Sequence, residues 1–185
     1  MLMIKGTAVK STLSYIRERL GNRESEFLAT LPEEFRPLMT QSILVSGYYE
    51  ALGVGEIMER CANFLGVPTG KFYLECGQAS ADFGLNTVYR IFLKLGSPEY
   101  IIKKAPLVWR SYYSQGNFEV LQSSPVTATV RIVDGDLPHP AICGRIEGWM
   151  ARTMELSGGK NVAMTHVRCS FKGDDCEEWK GQWQL

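Results

Sequence analysis

The sequence predicts an α+β fold, a mainly helical N-terminal half packed on a small antiparallel sheet with a β-β-α-β-β order in the C-terminal half. Three observations predict it. Up to about residue 115, apolar residues recur at helical spacing between glycine and proline breaks. Beyond Gly116 the β-branched residues gather in short, partly alternating runs. One more helical pattern, over 141–156, divides those runs into two pairs, which suits helices covering one face of a sheet.

Residues 7–20 place Ala8, Leu13, Ile16 and Leu20 at near-helical spacing with Lys10, Arg17, Glu18 and Arg19 between them, an amphipathic helix ended by Gly21. A short helix is expected over 24–31, and Pro32-Glu33-Glu34 has the proline-first, acidic first turn of another that closes before Pro37. Over 48–65, Tyr49, Leu52, Ile57, Cys61, Phe64 and Leu65 suit a helix whose beginning Gly53 and Gly55 weaken and which Gly66-Val67-Pro68 stops. Helices follow over 71–84 and 86–95, and Ser97-Pro98-Glu99 starts one that runs to about 114.

Strands are expected over 118–121 and 126–133, after which Asp134-Gly135-Asp136-Leu137-Pro138 breaks the pattern. The helix over 141–156 carries Ile142, Ile146, Trp149, Met150 and Thr153 on one side and ends at Gly158-Gly159. Strands over 162–171 and 176–183 are joined by the turn Lys172-Gly173-Asp174-Asp175. With no repeat, low-complexity tract or linker, the helical part (1–115) and the sheet part (116–185) are expected to form a single domain over 1–185.

Composition narrows the function classes. Apolar residues are 45% and charged residues 22% of the 185, the globular norm. Lys+Arg and Asp+Glu are equal at 20 each, so no excess positive charge points to nucleic acid or an acidic membrane. Met1-Leu2-Met3-Ile4-Lys5-Gly6 turns polar too early for a signal peptide, and no run approaches the ~18 apolar residues of a membrane span, so a cytoplasmic location is expected. Five cysteines, an odd number in such a chain, argue against a disulfide framework and leave thiols or metal ligands.

Three of those cysteines, Cys143, Cys169 and Cys176, lie in the C-terminal part with His166, spaced Cys143–His166–Cys169–Cys176 by 23, three and seven positions. Thiolate and imidazole are the donors tetrahedral zinc takes. His166 and Cys169 share a predicted strand at odd separation, so a bulge would be needed to bring them to one side. The alternative is that the cysteines are small buried hydrophobes and His166 a strand histidine with a polar partner.

Cys143-Gly144-Arg145-Ile146-Glu147-Gly148, Gly159, His166-Val167-Arg168-Cys169 and Lys172-Gly173-Asp174-Asp175-Cys176 together resemble the C-terminal half of the vinyl-4-reductase domain. That domain occurs as the sensory part of bacterial activators that respond to aromatics. The resemblance implies a structural zinc held by Cys143, Cys169, Cys176 and, at the position that is acidic in those sensors, His166. Two further departures are a turn one residue shorter between the last two cysteines and Arg152 where those sensors tend to have a glycine. From Ile4-Lys5-Gly6-Thr7 through Trp109-Arg110-Ser111-Tyr112-Tyr113 to Trp179 and Trp183, the chain is also similar to an uncharacterised paralogous family of myxobacteria, which supplies no function. The wider fold group includes haem nitric-oxide sensors and transport-particle subunits, so fold alone selects no activity.

Other constellations carry little. Gly53-Val54-Gly55 lacks the third glycine and preceding strand of a nucleotide loop. His139, between Pro138 and Pro140, suits loop stiffening better than catalysis. No haem is expected, because 97–114 holds no histidine, and no enzymatic activity, because four protein ligands would leave zinc no open position. Trp109, Tyr112, Tyr113, Phe118 and Trp149 gather near the junction of helices and sheet, where they form either a pocket or ordinary core.

The function expected from this reading is a non-enzymatic, sensor-like protein. It would bind a small apolar or aromatic molecule through Trp109, Tyr112, Tyr113 and Trp149, and signal through an unknown partner. A protein-interaction or dimerisation module without a small ligand is the alternative. Analogy with the fold group adds a homodimer through the N-terminal helices.

Overall fold

The computed structural model describes residues 1–85 and 97–185, so the helix expected over 86–95 lies outside the described residues. The chain opens with strand β1 (Met3–Lys5), which pairs antiparallel with β2 (Tyr48–Glu50), Ile4 opposite Tyr49. Both strands escaped the sequence reading, since three residues are too few to display an alternation. Residues 48–50, expected as the start of a helix, are strand instead, and helix α4 (Ala51–Leu65) begins only where Ala51 N–H reaches Leu2 O at 3.0 Å.

Helix α1 (Gly6–Leu20) buries Ala8, Val9, Leu13, Ile16 and Leu20 and stops at Gly21, whose φ of 55° few side chains adopt. Helix α2 (Glu24–Thr30) buries Phe27. The next helix, α3 (Arg36–Thr40), begins where the sequence predicted an end. Pro37 sits in its first turn, where a missing N–H costs nothing, and Pro32 to Phe35 form a turn closed by Phe35 N–H to Pro32 O at 3.1 Å.

Helices α5 (Thr69–Leu85) and α6 (Pro98–Tyr112) complete the helical half. Ser97 caps α6 as predicted, its hydroxyl oxygen accepting from Tyr100 N–H at 3.3 Å. Strands β3 (Asn117–Ser123) and β4 (Thr127–Val133), helix α7 (Pro140–Leu156), and strands β5 (Lys160–Arg168) and β6 (Glu177–Gln184) follow. The sheet is antiparallel throughout in the order β3-β4-β6-β5. Its inner face presents Ala128, Val130 and Ile132 from β4 and Trp179 and Trp183 from β6. One cluster of buried apolar residues runs from Leu2 to Trp183 through both halves.

The most extensive helix packing joins α5 to α7. A Cβ on Gly77 would lie 2.0 Å from Arg145 O, and one on Gly148 would lie 2.1 Å from Leu74 O, so the two backbones approach as only glycine permits. That crossing fixes the rotation of α7. Residues 145, 146, 149, 150, 153 and 154 consequently form one stripe, turned toward α1 and α6.

Candidate functional site

Under that stripe lies a cavity of about 80 Å³. Thr7, Ala8 and Ser11 of α1, Ser80 and Phe83 of α5, Ile101 to Tyr112 along one face of α6, Phe118 of β3 and the stripe of α7 surround it. Trp109, Tyr112, Tyr113 and Trp149 all face this one space. The indole of Trp109 stacks on Tyr113, and its N–H donates to the carbonyls of Gln115 at 3.1 Å and Gly116 at 2.9 Å. The chain is thereby held where α6 turns into β3.

The residue sequence reasoning missed is Arg145. Only 3% of it is exposed. Its Nε donates to Thr12 Oγ1 at 2.8 Å, Nη1 to Tyr113 Oη at 3.1 Å, and Nη2 to Ala8 O at 3.2 Å and Ser80 Oγ at 3.1 Å. Ser11 in turn donates to Ser80 at 2.9 Å. Burial pushes the Tyr113 phenol up; Arg145 opposes this without cancelling it, so the phenol stays neutral. Arg145 precedes Trp149 by four positions, one helical turn, so the two share a side of α7.

The second constellation gathers at the first turn of α7, two residues before Arg145. Cys143, Cys169 and Glu177 bring a donor atom each to within 4.8 Å of one another. A register shift between His166 and Arg168 supplies the irregularity that the odd spacing of His166 and Cys169 required. His166 is turned to Glu177, with Nε2 2.7 Å from Oε2, and its ring stacks on Trp179 at 4.4 Å. Glu177 also accepts from the N–H of Ser170 at 3.0 Å and from its hydroxyl.

Burial raises the Glu177 carboxyl, but the bonds from His166 and Ser170 outweigh it and hold the group below its usual range. Burial raises the thiols of Cys143 and Cys169, and the neighbouring carboxylate raises them further. Cys176 is not in this group. It precedes Glu177 by one position, so strand alternation puts it on the opposite side, beside Asp175, Arg168 and Glu178. Of the expected set, Cys143 and Cys169 are together, His166 reaches them through Glu177, and Cys176 stands apart.

Neither histidine faces the cavity. His139 caps α7, its Nδ1 accepting from Ala141 N–H at 3.1 Å, and its Nε2 lies 3.0 Å from Glu59. Among the described residues, no helix is long and apolar enough to cross a membrane.

Helices enclosing a small cavity over one face of a four-stranded antiparallel sheet define an α+β architecture. No protein-family model matches the sequence, and no curated protein matches it. Solved structures do. The chain is similar to an H-NOX protein from Shewanella oneidensis in its Fe(II)NO ligation state, with a TM-score of 0.74, 13% identity, and coverage of 98% of this chain and 100% of that one. It is similar to the Fe(II) unliganded H-NOX protein from K. algicida, with a TM-score of 0.74, 11% identity, and coverage of 98% and 97%. An oxygen-binding H-NOX domain related to soluble guanylate cyclases, solved as its oxygen complex, gives a TM-score of 0.71, 11% identity, and coverage of 98% and 96%. At such identities the likeness is one of fold, and it establishes the fold group that the sequence implied.

The likeness also corrects the expectation of structural zinc without haem. The solved domains of this fold are haem-binding, so the cofactor to which the fold points is haem, and no comparison points to zinc. The cavity in its present shape does not fit that group. Its volume is below the ~150 Å³ that takes a benzene ring, and a porphyrin is several times larger. Among the described residues, the lining groups that could reach an iron are the thioethers of Met150 and Met154 and the phenols of Tyr112 and Tyr113.

Proposed function

We propose that the chain is a non-enzymatic, sensor-like domain of the vinyl-4-reductase type. Its cavity between α1, α5, α6, α7 and β3 holds a small apolar or aromatic molecule. The observation that carries this reading is that Trp109, Tyr112, Tyr113 and Trp149 border one space and leave about 80 Å³ of it open, which a ring fills when those side chains move apart. Aromatic walls supply buried area to a ligand, while a phenol or indole supplies orientation. Two supports come from outside the cavity: the resemblance of residues 143–176 to sensory domains that respond to aromatics, and the fold shared with gas-ligated H-NOX proteins.

The test is a thermal-shift and calorimetric screen of phenol, toluene, indole and short aliphatic molecules against the purified chain. At least one is expected to bind, raising the melting temperature, and Trp149→Ala is expected to weaken that binding at least tenfold. No stabiliser among them would sink the reading. Hemin titrated in parallel tells whether the same space opens to a tetrapyrrole: a stoichiometric Soret band that displaces the small molecule would assign the cavity to haem.

A further inference from the structure

We infer that the molecule held in this cavity carries an anionic head, a carboxylate, seated against Arg145. The inference rests on the cavity reading above and names the chemistry of its ligand.

A guanidinium stays charged at every pH a folded protein meets, and burying that charge without a counter-charge is costly. Arg145 is only 3% exposed, yet all four of its hydrogen bonds end on neutral oxygens: two hydroxyls, a phenol and a backbone carbonyl. The half-buried Arg17, Arg131 and Arg152, by contrast, each meet a carboxylate. Arg145 has no ion pair with any described carboxylate. Residues 86–96 have none to offer either, since that stretch contains Arg90 and Lys94 but no Asp or Glu.

The ionisable groups that feel Arg145 do not supply the charge. Burial raises the Tyr113 phenol and the Cys76 thiol, and Arg145 lowers each by less, so both remain neutral. The fold thus holds a cation that has no counter-ion among the described residues. The cation also borders the cavity, whose remaining walls are aromatic, aliphatic or hydroxyl-bearing. The four bonds engage four of its five N–H groups and leave one hydrogen on Nη1 for a further acceptor. A carboxylate accepts from such a fork with charge-assisted bonds, and Ser80 and Tyr113 stand beside it as secondary partners. The small volume selects a short acid, an aliphatic chain of a few carbons, or a single ring once the aromatic walls move apart.

A purely structural Arg145, a strut tying α1 and α5 to α7, predicts no preference for charge. Calorimetry at pH 7 on the purified chain with benzoate and hexanoate, each against the neutral benzyl alcohol and hexanol of matched body, separates the two accounts. The acids are expected to bind at least tenfold more tightly than the alcohols, and Arg145→Gln, checked for folding by circular dichroism, is expected to abolish that ratio. If Arg145→Gln does not fold, the wild-type ratio decides alone. Alcohols that bind as well as acids would overturn the anionic head and leave the cavity reading standing. An acid preference unchanged in Arg145→Gln would overturn it as well, and failure of all four molecules to bind would overturn both.

Discussion

Trp109 and Tyr113 lie face to face at the end of α6, ring centroids 3.9 Å apart and planes 12° apart, so the wall of the cavity and the turn into β3 are one structure. The indole N–H holds two successive carbonyls, Gln115 and Gly116, across that turn. Trp109→Ala should cost about 3–5 kcal/mol, as removal of a large buried ring does. Trp109→Phe keeps most of the ring and should cost about 1–2 kcal/mol, mainly the lost donor. Urea unfolding of both variants checks the order, and equal losses would deny the hydrogen bonds any separate role.

The α5–α7 crossing should be intolerant of a single methyl group. A Cβ on Gly148 would fall 2.1 Å from Leu74 O, a backbone atom that moves only if the helix moves. Gly148→Ala should therefore destabilise by more than about 2 kcal/mol, an overpacking cost. Gly70, in the first turn of the same α5, has nothing within 4 Å of its Cβ position, and Gly70→Ala should stabilise by roughly 0.5–1 kcal/mol through the unfolded chain. Opposite signs in chemical denaturation are the expected result.

The helices other than the five-residue α3, and the four long strands, were legible because each carries its periodicity over seven residues or more. What stayed hidden was set by pairing across the chain. Tyr48–Glu50 continues the apolar pattern of α4, yet its N–H and C=O groups find β1, and nothing local to residues 48–50 announces that partner. Gly53 and Gly55 looked like helix breakers. They are contact points, Gly55 so close to His139 that an added Cβ would lie 2.6 Å from the histidine Cβ. The aromatic walls of the cavity could be gathered from sequence because Trp109 and Tyr112 share a helix face. Arg145 could not be, since an arginine between apolar neighbours normally turns outward, and only the α5–α7 crossing turns this one in.

Glu75 should give the fold an acid-sensitive clamp between α1 and α5. Its carboxylate accepts from Tyr15 Oη at 2.7 Å and from Arg19 at 2.5 Å. Burial raises the carboxyl, but these bonds and Lys71 outweigh it, so the folded state holds Glu75 below its ordinary value. A lowered folded pKa means that the unfolded chain takes up the proton first. The stabilisation is fully present above the unfolded value of about 4.3 and is lost as pH falls through the folded one. Glu75→Gln should cost about 0.5–1 kcal/mol at pH 7, given the partial exposure of the pair. Urea unfolding at pH 7, 5 and 3.5 should show the gap to wild type narrowing only at the acid end.

His139 should matter as a helix cap and little as a charge. Its Nδ1 accepts from Ala141 N–H, which places the ring proton on Nε2, where it donates to Glu59. The cap satisfies one of the orphan donors at the start of α7, the helix that carries Arg145 and Trp149 to the cavity. The Glu59 carboxylate is largely open to water, its side chain 44% exposed, so that pair adds little. His139→Ala should therefore lose about 1–2 kcal/mol by removing the cap and loosening the packing over Gly55. His139→Asn, which restores a capping oxygen, should recover most of it, and Glu59→Gln should stay within about 0.5 kcal/mol of wild type. A Glu59→Gln loss as large as that of His139→Ala would instead make the contact with Glu59 the stabilising element and the cap incidental.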